Sequence, residues 1–107
     1  MIKVIFFDID GTLVPMGKPH ILDSTVKAFK ALRSKGIHIV ICTGRHITEI
    51  SEGNDLSNYD FDGIIATTGQ YCLDANKKPF YTKTMNEHQH VEIISLFEEK
   101  KYSVVLK

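Results

Sequence analysis

Apolar residues recur along this chain in two rhythms, one suited to strands and one to helices. "IKVIFF" (residues 2–7) is a nearly continuous apolar run, the pattern of a strand buried on both faces. A polar stretch with Pro15, Gly17 and Pro19 then interrupts the pattern. Val26, Phe29 and Leu32 return at helical spacing, predicting a helix capped by Asp23 or Ser24 and stopped by Gly36. "IHIVIC" (37–42) predicts a second strand, and Ile47 and Ile50 a short helix beyond Thr43-Gly44-Arg45. "DGIIAT" (62–67) predicts a third strand that ends at Thr68-Gly69. "YCLD" and "PFYTK" flank Ala-Asn-Lys-Lys as the arms of a hairpin. Val91, Ile94 and Phe97 predict another helix, and "YSVVLK" (102–107) a last strand.

Strand, helix, strand, helix, strand is two βαβ crossovers. The expected fold is therefore α/β, an open parallel sheet of the Rossmann-like kind. A chain of 107 residues supports one small core. Three parallel strands are few for such a sheet, and a terminal strand with nothing after it is poorly anchored. Both features predict that Lys107 is not the natural end of the molecule.

Composition narrows the function. Lys+Arg and Asp+Glu are both 13, giving a formal net charge of zero, so no basic surface argues for nucleic acid or an anionic membrane. Two cysteines, Cys42 and Cys72, make neither a disulfide framework nor a zinc site. No apolar run approaches membrane-spanning length. "VIFF" is too short for a signal peptide and Asp8 interrupts it, so a cytoplasmic protein is expected. Oligomeric state has no signature in the sequence.

Ligands of open α/β sheets bind at the carboxyl ends of the strands. Three polar clusters fall at such ends: Asp8-Ile9-Asp10-Gly11-Thr12, Thr43-Gly44-Arg45 and Thr67-Thr68-Gly69. If the strands are neighbours, the clusters line one crevice. Asp8 and Asp10, two apart in extended chain, point to the same side. Two close carboxylates favour a shared proton or a cation between them. Oxygen-only ligands suit Mg²⁺ completed by phosphate oxygens and water. One carboxylate can then attack phosphorus while the other manages the proton. Gly11 allows a sharp turn behind the pair, and Thr12 is a candidate cap for the next element. The alternative is a plain strand-closing turn. An EF-hand is excluded, because Gly11 is fourth from Asp8 and a strand precedes the loop. The Thr43 hydroxyl and the N–H groups of Gly44 and Arg45 are candidates for holding phosphate oxygens, against the alternative of a simple Thr cap. Arg45 offers either a charged clamp on phosphate or an ion pair with the first loop.

"FFDIDGTLV" followed by "GIHIVICTGR" resembles the haloacid dehalogenase superfamily of phosphohydrolases, and more narrowly its Cof-type (class IIB) branch of sugar-phosphate and nucleotide phosphatases with an α/β cap. The resemblance implies a haloacid dehalogenase fold and a Mg²⁺-dependent phosphatase acting on small phosphorylated metabolites through an aspartyl-phosphate. It implies that Asp8 is the nucleophile and a Mg²⁺ ligand. Asp10 is then the general acid/base and gives its carbonyl to the metal. Thr43, Gly44 and Arg45 bind the transferring phosphoryl group. "IATTGQYCLD" resembles the third strand and hairpin of that branch, which implies Gly69 at the substrate pocket, although Thr68 departs from the Asn that usually precedes the glycine and helps shape that pocket. Residues 1–84 are implied to be the N-terminal part of the hydrolase core, and 85–107 the start of the cap.

Two motifs of the family are missing, a lysine that steadies the phosphoaspartate and an acidic Gly-Asp loop that completes the metal shell. Lys100, Lys101 and Lys107 do not match that lysine, and no Gly-Asp pair occurs. Their loss is expected to cost on the order of a thousandfold in rate. The 107 residues alone are thus expected to be nearly inactive and the longer parent an enzyme. A phosphotransferase or mutase of the same fold, and a non-catalytic remnant, are the alternatives. A phosphate-storing receiver domain fits poorly, because its third strand would end in a carboxylate and this one ends in "ATTGQ". His88 and His90 are expected at the surface, Cys42 in the core, Cys72 nearer solvent, and Asp60 and Asp62 in a turn.

Overall fold

The first strand, β1 (Val4–Phe7), lies within the "IKVIFF" run. A computed structural model describes residues 1–51 and 55–104. After β1 come α1 (Asp23–Ser34), β2 (His38–Cys42), α2 (Ile47–Ser51), a 3-10 turn at Asp55–Asn58, and β3 (Gly63–Ala66). A tight turn at Thr67–Gly69 leads into the hairpin β4 (Tyr71–Asp74) and β5 (Pro79–Thr82), and then comes α3 (Glu87–Glu98). The sheet has the order β1-β2-β3-β4-β5, the first three parallel and the hairpin antiparallel. Register aligns Phe7 with Ile41 and Ile41 with Ile64. The strands therefore end side by side, bringing the three polar clusters to one edge of the sheet.

The core lies on one face. Ile39, Ile41, Ile64 and Leu73 of the sheet join Phe29 of α1, Ile50 of α2 and Leu56 of the 3-10 turn in a single cluster. Phe29 is its hub, edge-on to Phe7 at 5.6 Å and to Phe61 at 6.0 Å between centroids. Such pairs add to the area they bury. Both crossovers thus run over the same face. Right-handed crossovers dictate this when the strand order advances in one direction.

The other face is open, which corrects the expectation that β1 is buried on both sides. Val4 and Phe6 are 39% and 57% exposed. Cys42, in phase with Val40 on that face, is exposed, whereas Cys72 in the interior strand β4 is buried, the reverse of the sequence expectation. The helix caps also differ from expectation at one end. Leu22 occupies the α1 N-cap without a side-chain hydrogen bond, and Asp23 sits in the first turn, where its charge complements the helix dipole. Gly36, at φ +70°, closes α1 as expected, with its N–H donating to the Arg33 carbonyl. At α3, Asn86 accepts from the Gln89 N–H and Gln89 answers from its side chain, a complete capping box. Residues 102–104 lie outside any strand, and the rest of the predicted last strand falls outside the described residues. Among the described residues no helix is long and apolar enough to cross a membrane.

Asp62 does more than close a turn. Its carboxylate accepts the N–H of fully buried Ile39 at 2.7 Å and stands 3.2 Å from His38 Nδ1 and 3.6 Å from Arg33. Its own N–H donates to the Ile39 carbonyl at 2.8 Å. Partial burial pushes this carboxyl up, but the Ile39 N–H, His38 and the Arg33 charge outweigh it and hold the carboxyl below its ordinary value. This clasp joins the end of α1 and the start of β2 to the start of β3, at the opposite end of the strands from the acidic pair.

Candidate active site

The loop after β1 is shaped by its own backbone. Ile9 is fully buried while Asp8 and Asp10 are exposed, so the apolar residue anchors the loop and turns both carboxylates outward. The N–H groups of Thr12 and Val14 donate to the Ile9 carbonyl, and that of Gly11 to the Val14 carbonyl. Gly11 sits at φ +77°, a conformation that a side chain resists, so its place behind the pair is a backbone requirement. Thr12 is exposed and its side chain caps no helix.

The two carboxylates have different surroundings. The Asp8 carboxylate has no hydrogen bond or ion pair among the described residues. Asp10 is gripped by the Arg45 guanidinium through two parallel bonds, Nε to Oδ2 at 2.9 Å and a terminal nitrogen to Oδ1 at 2.5 Å. Those bonds hold the Asp10 carboxyl below its ordinary value, against some desolvation. Asp10 in turn raises Arg45. Of the two open choices for Arg45, the structure shows the ion pair with the first loop.

Thr43 is buried, 4% exposed, and its N–H donates to the Ile65 carbonyl. Its hydroxyl oxygen accepts the Arg45 N–H at 3.1 Å. That backbone donor is therefore already used inside the loop, which corrects its expected availability to phosphate. His46 gives its N–H to the Glu49 carboxylate at 2.8 Å and receives the Glu49 N–H on its carbonyl, so α2 begins just past His46, beyond Thr43-Gly44-Arg45 as expected.

The third cluster is strained. Thr67 and Thr68, both β-branched, lie at φ 49° and 54°, followed by Gly69 at φ 92°. For threonine this conformation costs roughly 1–2 kcal/mol per residue. The turn is held by the second loop: Thr67 N–H donates to the Arg45 carbonyl at 2.9 Å and Thr68 N–H to the Thr43 carbonyl at 3.1 Å. The Thr68 hydroxyl comes close to Gly44, 3.6 Å from where a Cβ would lie. The buried Thr67 hydroxyl has no partner among the described residues. Gly69 lies in this turn, at φ 92°. The structure thus brings Asp8, Asp10, Gly11 and Thr12 beside Thr43, Gly44 and Arg45, and adds Thr67 and Thr68 as braces. Sequence reasoning missed that role. Its signal was two adjacent threonines directly before a glycine at a strand end.

The fold is shared with solved hydrolases. A Bacteroides thetaiotaomicron phosphatase of the haloalkanoate superfamily is 29% identical with a TM-score of 0.82, over 94% of this chain and 37% of its own. A solved subclass IIB sugar phosphatase of the superfamily is 36% identical with a TM-score of 0.72, over 92% and 38%. A Buchnera aphidicola protein named as a phosphatase is 35% identical over 82 residues, 77% of this chain and 30% of its own. The family profile of haloacid dehalogenase-like hydrolases matches residues 5–107, and the chain belongs to that family. It spans roughly a third of the length of these relatives.

Proposed function

We propose that this chain carries the nucleophile side of a Mg²⁺-dependent phosphatase site that hydrolyses small phosphorylated metabolites, with residues 1–84 in the hydrolase core and 85–107 opening a cap. The observation that carries the reading is the asymmetry of the acidic pair. Asp8 is an unengaged carboxylate at a strand end, as a nucleophile must be, whereas Asp10 is held in place by Arg45. In the proposed reaction an Asp8 oxygen attacks phosphorus and the bond to the leaving oxygen breaks. When Arg45 exchanges onto the phosphoryl group it frees the Asp10 carboxyl, which takes up a proton from solvent and gives it to that oxygen. Water then attacks the aspartyl-phosphate, Asp10 takes a proton from it, and phosphate leaves with Asp8 regenerated. The Thr43 hydroxyl and the Gly44 N–H are the donors for the phosphoryl oxygens. Arg45, committed to Asp10, turns to the phosphate only by exchanging partners.

The donor chemistry fits Mg²⁺: Asp8 and Asp10 are exposed carboxylates, hard oxygen donors together at one strand end. When bound, the ion supplies charge neutralisation for the phosphoryl oxygens. The structural likeness to a sugar phosphatase supports phosphorylated sugars as the first substrates to try. The test is hydrolysis of a panel of small phosphomonoesters, with Mg²⁺ and with chelator, by the longest natural polypeptide that contains this sequence. Asp8→Asn is expected to lower kcat by at least about a thousandfold. Hydrolysis that survives Asp8→Asn or chelation would sink the proposal.

A further inference from the structure

The turn at Thr67–Gly69 carries two costs that the proposed site leaves unexplained. Thr67 and Thr68 hold φ of 49° and 54°, in the small left-handed basin that a β-branched side chain disfavours. The Thr67 hydroxyl is also buried without a partner among the described residues, and a buried unbonded hydroxyl is a second penalty. The Thr68 side chain is exposed, so its burial does not offset the strain. Strained backbone persists only where the surroundings impose it, and it gathers at functional sites. Here the second loop imposes it. The Thr68 N–H donates to the Thr43 carbonyl at 3.1 Å and the Thr67 N–H to the Arg45 carbonyl at 2.9 Å, so the two gripped carbonyls stand on either side of Gly44.

The Thr43 carbonyl and the Gly44 N–H belong to one planar trans peptide and point in opposite directions. Gripping that carbonyl from the Thr68 side therefore turns the Gly44 N–H away from the turn. Gly44 is exposed, and its N–H makes no hydrogen bond among the described residues. With no side chain to limit its rotation, the glycine depends on this outside grip for its orientation. A threonine in the left-handed basin has a narrow range of φ and ψ, whereas a glycine there ranges widely. The threonine turn thus holds its own N–H groups more tightly than a less strained glycine turn would. We propose that Thr68 is a positioning residue for the Gly44 N–H: the strained turn gives up stability to aim that donor at the transferring phosphoryl group before substrate arrives. The proposal rests on the phosphatase reading for what the donor meets. Donors fixed in advance act on charge as it develops in the transition state, so a misplaced one is felt in rate more than in binding.

The test compares wild type, Thr68→Gly and Thr68→Val in the longest natural polypeptide that contains this sequence. Thr68→Gly keeps the N–H and relieves the strain. Thr68→Val keeps the branching and the strain and removes the hydroxyl. Thr68→Gly is expected to unfold at a urea midpoint no lower than wild type. Its Gly44 amide order parameter is expected to fall from about 0.85 toward about 0.6 by NMR relaxation. Its kcat is expected to drop by at least about tenfold, with KM within about twofold. Thr68→Val is expected to restore the order parameter, and kcat to within about threefold of wild type. A midpoint below wild type in Thr68→Gly would make the residue structural and overturn the proposal. So would an unchanged Gly44 order parameter, an unchanged kcat, or a Thr68→Val variant as slow as Thr68→Gly. A wild type without Mg²⁺-dependent turnover would count against the phosphatase reading, and the Gly44 order parameters would then decide the positioning role alone.

Discussion

Replacing Asp62 tests whether one carboxylate clamps the base of this fold. Ile39 is fully buried, and its N–H has the Asp62 carboxylate at 2.7 Å as its acceptor. Asp62→Ala leaves that donor unsatisfied, which costs about 1–3 kcal/mol. The Arg33 contact, at 3.6 Å with a partly exposed guanidinium, adds no more than about 0.5 kcal/mol. The expected total is about 1–3.5 kcal/mol. Asp62→Asn keeps an acceptor for Ile39 and is expected to cost about 1 kcal/mol. Urea unfolding reads both, with a midpoint shift of roughly 1 M or more for the alanine variant and an unchanged slope. The sign with pH comes from the lowered carboxyl. It contributes stability above the unfolded Asp value, near about 3.9, and loses it as pH falls through the folded value. The gap between wild type and Asp62→Asn is therefore full at neutral pH and closes in acid. Equal costs for the two variants, or a gap that widens in acid, would refute the reasoning.

Other substitutions read the core and the crevice. Phe29→Ala removes the hub of three aromatic contacts and is expected to cost about 3–5 kcal/mol in urea unfolding. Gly11→Ala meets no atom within 4 Å but must hold φ +77°, so a loss of about 1 kcal/mol from backbone strain alone is expected by the same assay. At Thr68 the usual ranking of alanine over glycine should invert. Thr68→Gly relieves the left-handed strain and is expected to unfold at higher urea than Thr68→Ala, by about 1 kcal/mol.

Local chemistry was legible in the sequence wherever it arose from strand parity and spacing. The alternation around Ile9 placed Asp8 and Asp10 together on the exposed side. The end of "IHIVIC" placed Thr43-Gly44-Arg45 beside them, and Ala-Asn-Lys-Lys marked the hairpin. Partners far apart in sequence were not legible. Nothing in "DFDG" marks Asp62 as the acceptor for Ile39, 23 residues earlier. Cys42 came out exposed because an apolar run does not say which sheet face is covered, and Cys72, on the same face by register, is buried within an interior strand. Thr67 and Thr68 adopt a conformation that threonine disfavours, held there by the carbonyls of the neighbouring loop, so propensity pointed away from it. Arg45 was readable as a clamp or an ion pair, and only the fold shows its fork on Asp10.

The central claim is that phosphorus is attacked by Asp8. The most direct measurement is to quench the longest natural polypeptide containing this sequence during turnover with Mg²⁺ and substrate, reduce acyl phosphates with borohydride, and locate the modified residue by peptide mass spectrometry. The account predicts modification at Asp8 alone, absent when Asp8 is Asn. Modification at Asp10 or elsewhere, or full turnover with no trapped aspartate, would contradict it.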